Sequence, residues 1–260
     1  MDKLLIKSIE KLDKWVEKND WKAYDPFDGL NSRLSFFTFN NKYLSIALQQ
    51  SIRRFPINLR PLVGVKKETS SKGMGFFAAG YLKLYKLFKH NEYLDKVLLC
   101  LDWLIKNYSK GYSGYCWGNH FNYWARGGNI PKGVPTVVWT ALIANVFLDA
   151  YELLQEKQYL KVANNSCNFI LQDLERFYED DGSFCLSYTP LDKGKLHGER
   201  IHNANMLGAC LLARVHKYTN NSELLDFAHK AVMYTIKRQQ EDDSWLYGEG
   251  SKWRWADNFH

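Results

Sequence analysis

This chain lacks any Cys-x-x-Cys pair, and its five cysteines, at 100, 116, 167, 185 and 210, are odd in number. The first absence excludes the usual zinc-ligand spacings, and the second argues against a disulfide framework. A reducing compartment, the cytoplasm, is therefore expected. No residue spacing implies a metal or other cofactor. No uninterrupted apolar run reaches 18 residues, so no membrane span is expected. The first 17 residues form a charged amphipathic pattern rather than a signal peptide. Without such a signal, the three Asn-x-Ser sequons, at Asn107, Asn164 and Asn220, carry no weight. A phosphate-cradling loop, a dinucleotide fingerprint and a Ser-His-Asp signature are also missing. Long stretches of alternating β-branched residues are missing too, which excludes a large sheet and leaves room only for short strands in loops.

What is present in excess is aromatic. Of 260 residues, nine are Trp, sixteen Tyr and fifteen Phe. Wide helix interfaces use some of these, and stacking on flat-faced ligands such as sugars or nucleobases would use the rest. The net charge is +7, and it is concentrated early: residues 1–110 hold 20 basic and 11 acidic side chains. Arg53, Arg54, Arg60, Lys66, Lys67 and Lys72 cluster with only Glu68 to oppose them. Such a cluster is a solvated surface or a patch for an anionic polymer or membrane surface. No recognition module accompanies it, so nucleic acid is not expected as a partner.

The organising signal is a repeat of about 65 residues. Three polar turns align: Asn91-Glu92-Tyr93-Leu94, Lys157-Gln158-Tyr159-Leu160 and Asn221-Ser222-Glu223-Leu224. Each lies between two helical stripes, for example Tyr81, Leu84, Tyr85 and Phe88 facing Leu94, Val97, Leu98 and Leu101. Turns this short force antiparallel neighbours. One all-α domain over residues 1–260 is expected. It has an irregular N-terminal part (1–72) with helices near 2–18 and 41–54. Hairpins follow at about 73–118, 134–188 and 203–248, and a further repeat is begun at 249–260. Cys100, Cys167 and Cys210 fall in apolar helical pattern and read as core residues.

Chemistry is expected in the loops. Tyr24-Asp25-Pro26-Phe27-Asp28-Gly29 holds two carboxylates beside two aromatics. Glycoside hydrolysis needs an acid and a base on opposite faces of a sugar, roughly 5–10 Å apart. Asp25 or Asp28 would supply one and Asp257 the other, although Asp before Pro or Gly is also ordinary turn chemistry. Trp117-Gly-Asn-His-Phe-Asn-Tyr-Trp-Ala-Arg126 is the densest polar-aromatic segment. His120 can transfer protons, and Tyr123 can donate or, with a lowered pKa, abstract one. Arg126 can pair with a carboxylate through two parallel hydrogen bonds. Trp117 and Trp124 offer flat faces, or else pin the loop itself. In Ile201-His-Asn-Ala-Asn205, Asn203 is a natural helix cap. His202 and Asn205 are candidates because helix starts at one end of a ring point at one cavity. Trp245 and Tyr247 of the last loop complete the set. Asp180-Asp181-Gly182-Ser183 and Asp242-Asp243-Ser244 read as turns.

Together, the run from Trp117 to Trp124, the segment from Pro131 to Tyr151, Ile201-His-Asn-Ala-Asn, Ser244-Trp-Leu-Tyr-Gly and Trp255-Ala-Asp-Asn-Phe-His resemble the six-hairpin (α/α)-toroid superfamily. Within it they are most similar to the VpsJ-like proteins found with bacterial capsule, exopolysaccharide and biofilm gene sets. The resemblance implies an (α/α) toroid with a carbohydrate-facing cleft, in a superfamily that holds glycosidases, polysaccharide lyases and uronyl epimerases. Its members continue past the Asp-Asn-Phe-His element, so a toroid incomplete at its C-terminus is expected here. The expected function is a carbohydrate-active protein of polysaccharide biosynthesis, a hydrolase using Asp25, Asp28 and Asp257. A uronic-acid lyase or epimerase would use Tyr123 or His120 with Arg126. A non-catalytic glycan-binding subunit is the third reading. The expected partners are a poly- or oligosaccharide and the synthesis machinery.

Overall fold

A computed structural model of the chain describes residues 3–191 and 200–256. Helix α1 (Lys3–Lys18) is followed by two 3-10 turns, Asp28–Asn31 and Arg33–Thr38, and by α2 (Lys42–Arg54). Three helical hairpins then succeed one another: α3 (Ser71–Phe88) with α4 (Asn91–Lys106), α5 (Val137–Leu154) with α6 (Lys157–Asn168), and α7 (His202–Thr219) with α8 (Ser222–Ile236). The strands are short. β1 (Tyr123–Trp124) pairs with β2 (Asn129–Ile130), and β3 (Arg176–Tyr178) pairs with β4 (Phe184–Leu186), both antiparallel.

The repeat is visible in backbone geometry. The first helix of each hairpin ends at a residue in the left-handed region: Lys89 (φ 58°), Gln155 (φ 59°) and Asn220 (φ 52°). Each of these residues donates its N–H to a carbonyl four residues back, that of Tyr85, Tyr151 or His216. Such a left-handed stop satisfies a helix-end carbonyl and turns the chain into the next helix. The two Asp turns also repeat. Asp181 accepts from Ser183 N (2.9 Å), and Asp242 accepts from Ser244 N (3.2 Å), as their sequence suggests.

α3, α5 and α7 form one row, each packed on the next, while α4, α6 and α8 each pack chiefly on their own partner. The middle helix α5 is therefore covered on several sides. Val137, Ala141, Ala144, Phe147 and Leu148 are fully buried along it, and a helix enclosed on several sides is apolar almost all round. By length and mean hydropathy α5 is apolar enough to cross a membrane, although Asp149 and Glu152 interrupt its apolar run; its burial among α3, α6 and α7 accounts for the apolarity.

Two expectations change. Cys210 is exposed on α7, whereas Cys116, in a loop, and Cys185, in β4, are buried; all five cysteines are free thiols. The N-cap position of α7 is Ile201, which offers no side-chain cap, and Asn203 lies inside the helix and does not cap it. α1 is held to the first hairpin through Asp13, which accepts from Tyr81 Oη (2.6 Å) and Lys96 Nζ (2.7 Å). Lys96 also meets Glu17 (2.9 Å) and Glu92 (3.0 Å).

Candidate functional site

The starts of α5 and α7 have backbone N–H groups with no helical acceptor. Loop carbonyls supply the acceptors. Thr136 N donates to Trp117 O (3.2 Å), Val137 N to Tyr188 O (3.0 Å), and His202 N to Tyr247 O (3.1 Å). At the start of α3, Ser71 Oγ donates to Gly118 O (2.8 Å). The loops that follow each hairpin are thus stitched to helix starts at one end of the row. Lys72, Thr136 and Ile201, at or beside these three starts, all line one cavity of about 450 Å³. This volume lies within the range of small-ligand sites, roughly 300–1,000 Å³.

The cavity is mostly aromatic. Phe27, Phe121, Tyr123, Trp139, Tyr188 and Tyr247 line it, together with Trp253 and Trp255. Tyr247 and Trp255 are stacked, with centroids 4.7 Å apart and planes at 9°, and Tyr247 N donates to Trp255 O (2.7 Å). The Arg126 guanidinium lies 4.6 Å from the Trp255 ring centroid. The indole N–H of Trp253 is buried and has no hydrogen-bond partner among the described residues. Glu249 anchors the segment that carries these rings: it pairs with Arg200 (3.3 Å) and Arg238 and accepts from Tyr234 Oη.

Three charged side chains enter the wall: Asp25, Lys72 and Arg126. Asp25 is ion-paired with Lys72, and its other oxygen accepts from Phe27 N (3.0 Å). It is the one carboxylate among the described lining residues. Asp28, expected as a catalytic group, does not line the cavity. It is 1% exposed, its Oδ1 takes Arg60 Nε at 2.6 Å, and its Oδ2 takes the Asp25 backbone N–H at 2.9 Å. Burial pushes its carboxyl above the usual value, while Arg60 opposes the shift. Arg60 also donates to the carbonyl of Asp25 (3.0 Å). The Asp28–Arg60 pair therefore shapes the loop that presents Asp25. Asp257 lies outside the described residues.

The segment around residue 120 divides. Tyr123 lines the cavity and packs edge-on to Phe27 at 5.2 Å. Burial raises the pKa of its hydroxyl, and Arg53 and Arg126 offset this only in part. A raised pKa favours the protonated hydroxyl, the donor form, over the base form. Trp124 follows Tyr123 in β1 and, by strand alternation, takes the other face. It is not among the lining residues, and its N–H reaches Gln49 Oε1 at 3.3 Å. His120 lies between the lining residues Asn119 and Phe121 but does not itself line the cavity. Burial lowers its pKa, against the opposing charges of Glu68 and Asp25, and its Nδ1 has no partner among the described residues.

Trp117 is a core residue, not a sugar platform. It is fully buried, stacks on Phe147 at 5.9 Å, and donates from Nε1 to Leu104 O at 3.1 Å. Gly118 permits this threading, since a Cβ there would sit 2.2 Å from Val134 O. Asn205 is likewise structural and fully buried. It accepts from Leu186 N (2.9 Å) and donates to Ala231 O (2.7 Å) and Thr235 Oγ1 (3.0 Å). His202 packs against Tyr234 at 6.1 Å and does not itself line the cavity. Trp245 is fixed by its indole N–H to Thr235 O at 2.8 Å. Of the expected residues, Asp25, Tyr123, Arg126 and Tyr247 meet at the cavity.

Sequence reasoning missed Lys72, Trp139, Tyr188, Trp253 and Trp255 as wall residues. Lys72 sits in a helix start directly after two serines, which was the usable signal. Trp139 lies in the first turn of α5 and reads as one more apolar position. Tyr188 arrives through a backbone hydrogen bond that no spacing announces.

No protein-family model matches the sequence, and no curated protein gives a significant match. Solved structures do share the fold. A sugar epimerase from a ruminal bacterium superposes with a TM-score of 0.52 at 14% identity, over 73% of this chain and 50% of its own. A D-mannose isomerase gives 0.51 at 15% identity, over 72% and 46%. The endo-β-1,4-glucanase CMCax of Acetobacter xylinum gives 0.50 at 12% identity, over 69% and 53%. The chain spans about half the length of each of these proteins. Its fold is that of an (α/α) toroid.

Proposed function

We propose that this chain is a carbohydrate-active protein that binds a saccharide in the aromatic cavity at the starts of α3, α5 and α7. The carrying observation is the wall itself: eight aromatic rings with Asp25, Lys72 and Arg126 among them. The faces of sugar rings present C–H groups that suit the negative face of an aromatic ring, and the hydroxyls take polar partners at the edge. Trp253 Nε1, buried without a partner among the described residues, would find an acceptor in a sugar hydroxyl. The shared fold with a sugar epimerase, a mannose isomerase and a glucanase supports the substrate class, while the chemistry must come from the site.

In the hydrolytic form of this proposal, Asp25 is one carboxylate and Asp257, two residues beyond the wall residue Trp255, is the other. Asp28 has no direct role. A place in bacterial capsule or exopolysaccharide synthesis, alongside the synthesis machinery and in the cytoplasm, rests on the VpsJ-like motifs. The free thiols support the compartment. The test is turnover of bacterial polysaccharides and oligosaccharides by the wild type and by Asp25→Asn and Asp257→Asn. Loss of product in both variants with glycan binding retained supports hydrolysis. Unchanged turnover in both removes it.

A second reading is a lyase or epimerase acting on uronic acids. Its favouring observation is that the wall holds one carboxylate against two cations, Lys72 and Arg126. Solvent deuterium appearing at C5, or the absorbance of an unsaturated product, distinguishes it from hydrolysis.

A further inference from the structure

Between Gly29 and Lys67 the chain carries seven Lys and Arg residues and no Asp or Glu. Arg60 is used internally by Asp28. Arg33, Arg53, Arg54, Lys66 and Lys67 are exposed, and none has a carboxylate partner among the described residues. The same segment displays its apolar side chains. Phe36, Phe37, Phe39 and Tyr43 are between 64% and 78% exposed. Phe36 meets both other Phe rings, with centroids 5.6 Å (Phe36–Phe37) and 6.4 Å (Phe36–Phe39) apart.

This knuckle has a defined backbone. Thr38 Oγ1 donates to Ser35 O (2.8 Å), and Phe39 and Asn40 both take positive φ. Asn41 then caps α2 by accepting from Tyr43 N (2.9 Å) and Leu44 N (3.2 Å). Along α2 the exposed positions Tyr43, Ala47, Ser51 and Arg54 fall on one side. That side runs from the aromatic knuckle to Arg54, a span of about 16 Å.

We propose that this face, the 3-10 turn Arg33–Thr38 and the outward side of α2, docks on an anionic membrane surface. The aromatic knuckle would sit at the acyl boundary and the cations among the headgroups. Charge complementarity selects this occupant. A two-fold contact between copies of this chain would bring the same cations face to face, which repels. An anionic polysaccharide would satisfy the cations, but the Phe rings project 64–76% exposed and do not line the aromatic cavity whose polar groups would hold a sugar's hydroxyls. Acyl chains satisfy these rings. The proposal does not depend on the saccharide site.

The test is co-sedimentation of the full chain with vesicles of phosphatidylcholine containing phosphatidylglycerol, against phosphatidylcholine alone. Binding is expected only with the anionic vesicles and should weaken as salt is raised. Arg33→Gln with Arg54→Gln should lower the partition roughly twenty-five-fold, about fivefold per cation. Phe36→Ser with Phe39→Ser should lower it at least about tenfold. All four side chains are exposed, and unchanged circular dichroism of both variants shows that the fold is kept. Equal binding to both vesicle types overturns the proposal. So do no binding to either, unchanged binding of either double variant, release from vesicles by alginate, and self-association that the same variants abolish.

Discussion

Lys72, in the first turn of α3, is ion-paired with Asp25, 47 residues earlier in the loop after α1. The pair places the one described wall carboxylate beside a cation at a helix start. Asp25→Asn should lower turnover on the cognate saccharide by about 10²–10⁴-fold, the usual worth of a positioned acid or base. Binding should stay within about threefold, because the amide keeps the size and the Phe27 N–H contact. Steady-state kinetics and equilibrium binding on the same preparation check this.

Stacking of Arg126 on Trp255 makes the ring and the cation one unit. Trp255→Ala should weaken saccharide binding by about 1–2 kcal/mol, roughly five- to thirtyfold. Arg126→Met should weaken binding of uronate-bearing saccharides more than of neutral ones. Titration calorimetry with matched neutral and acidic oligosaccharides reads both effects.

Asn205 bridges Leu186 of β4 to Ala231 and Thr235 of α8 in a fully buried position. Asn205→Leu strands those partners, and the expected cost is about 2–4 kcal/mol. A lowered urea midpoint with unchanged saccharide affinity of the folded protein would mark it as structural. A loss of affinity at unchanged stability would restore it to the site.

Lys89 and Gln155 hold left-handed backbone conformations without being glycine. Lys89→Gly and Gln155→Gly should each stabilise the fold by about 0.5–1 kcal/mol, because glycine takes φ > 0 without a Cβ clash. Asn220→Gly should gain less, since Asn tolerates this region. Thermal unfolding of the three variants tests the order.

His120 and His202 are both held below the ordinary imidazole pKa, chiefly by burial. The unfolded state therefore binds protons first as pH falls, near pKa 6.5. Stability is full above that value and declines as pH drops below it, toward the lowered folded values. The double variant His120→Gln, His202→Gln should show a flatter dependence of unfolding temperature on pH across this window.

The helical hairpins were legible because their turns recur with a fixed polar pattern and their apolar stripes keep helical spacing. The one-ended gathering of loops followed from that repeat. What did not follow was which face of each loop looks inward. Trp117 and Tyr247 occupy comparable loops, yet Trp117 is threaded into the core past Gly118 while Tyr247 faces the cavity. Their composition is alike, and the difference lies in a backbone contact with Val134. Asp25 and Asp28 are similarly indistinguishable in sequence. Arg60, 32 residues further on, decides the matter by claiming Asp28. Lys72 read as one of a cluster of surface cations, and its role appears only once α3 is seen to start beside the Asp25 loop.

The central claim is that the cavity between the starts of α3, α5 and α7 binds a saccharide. Titration calorimetry of the wild type and Trp255→Ala against a panel of bacterial oligosaccharides tests it most directly. Saturable binding of at least one saccharide by the wild type, weakened about five- to thirtyfold by Trp255→Ala, is the expected result. Absence of binding across the panel, or binding that Trp255→Ala leaves unchanged, would contradict the account.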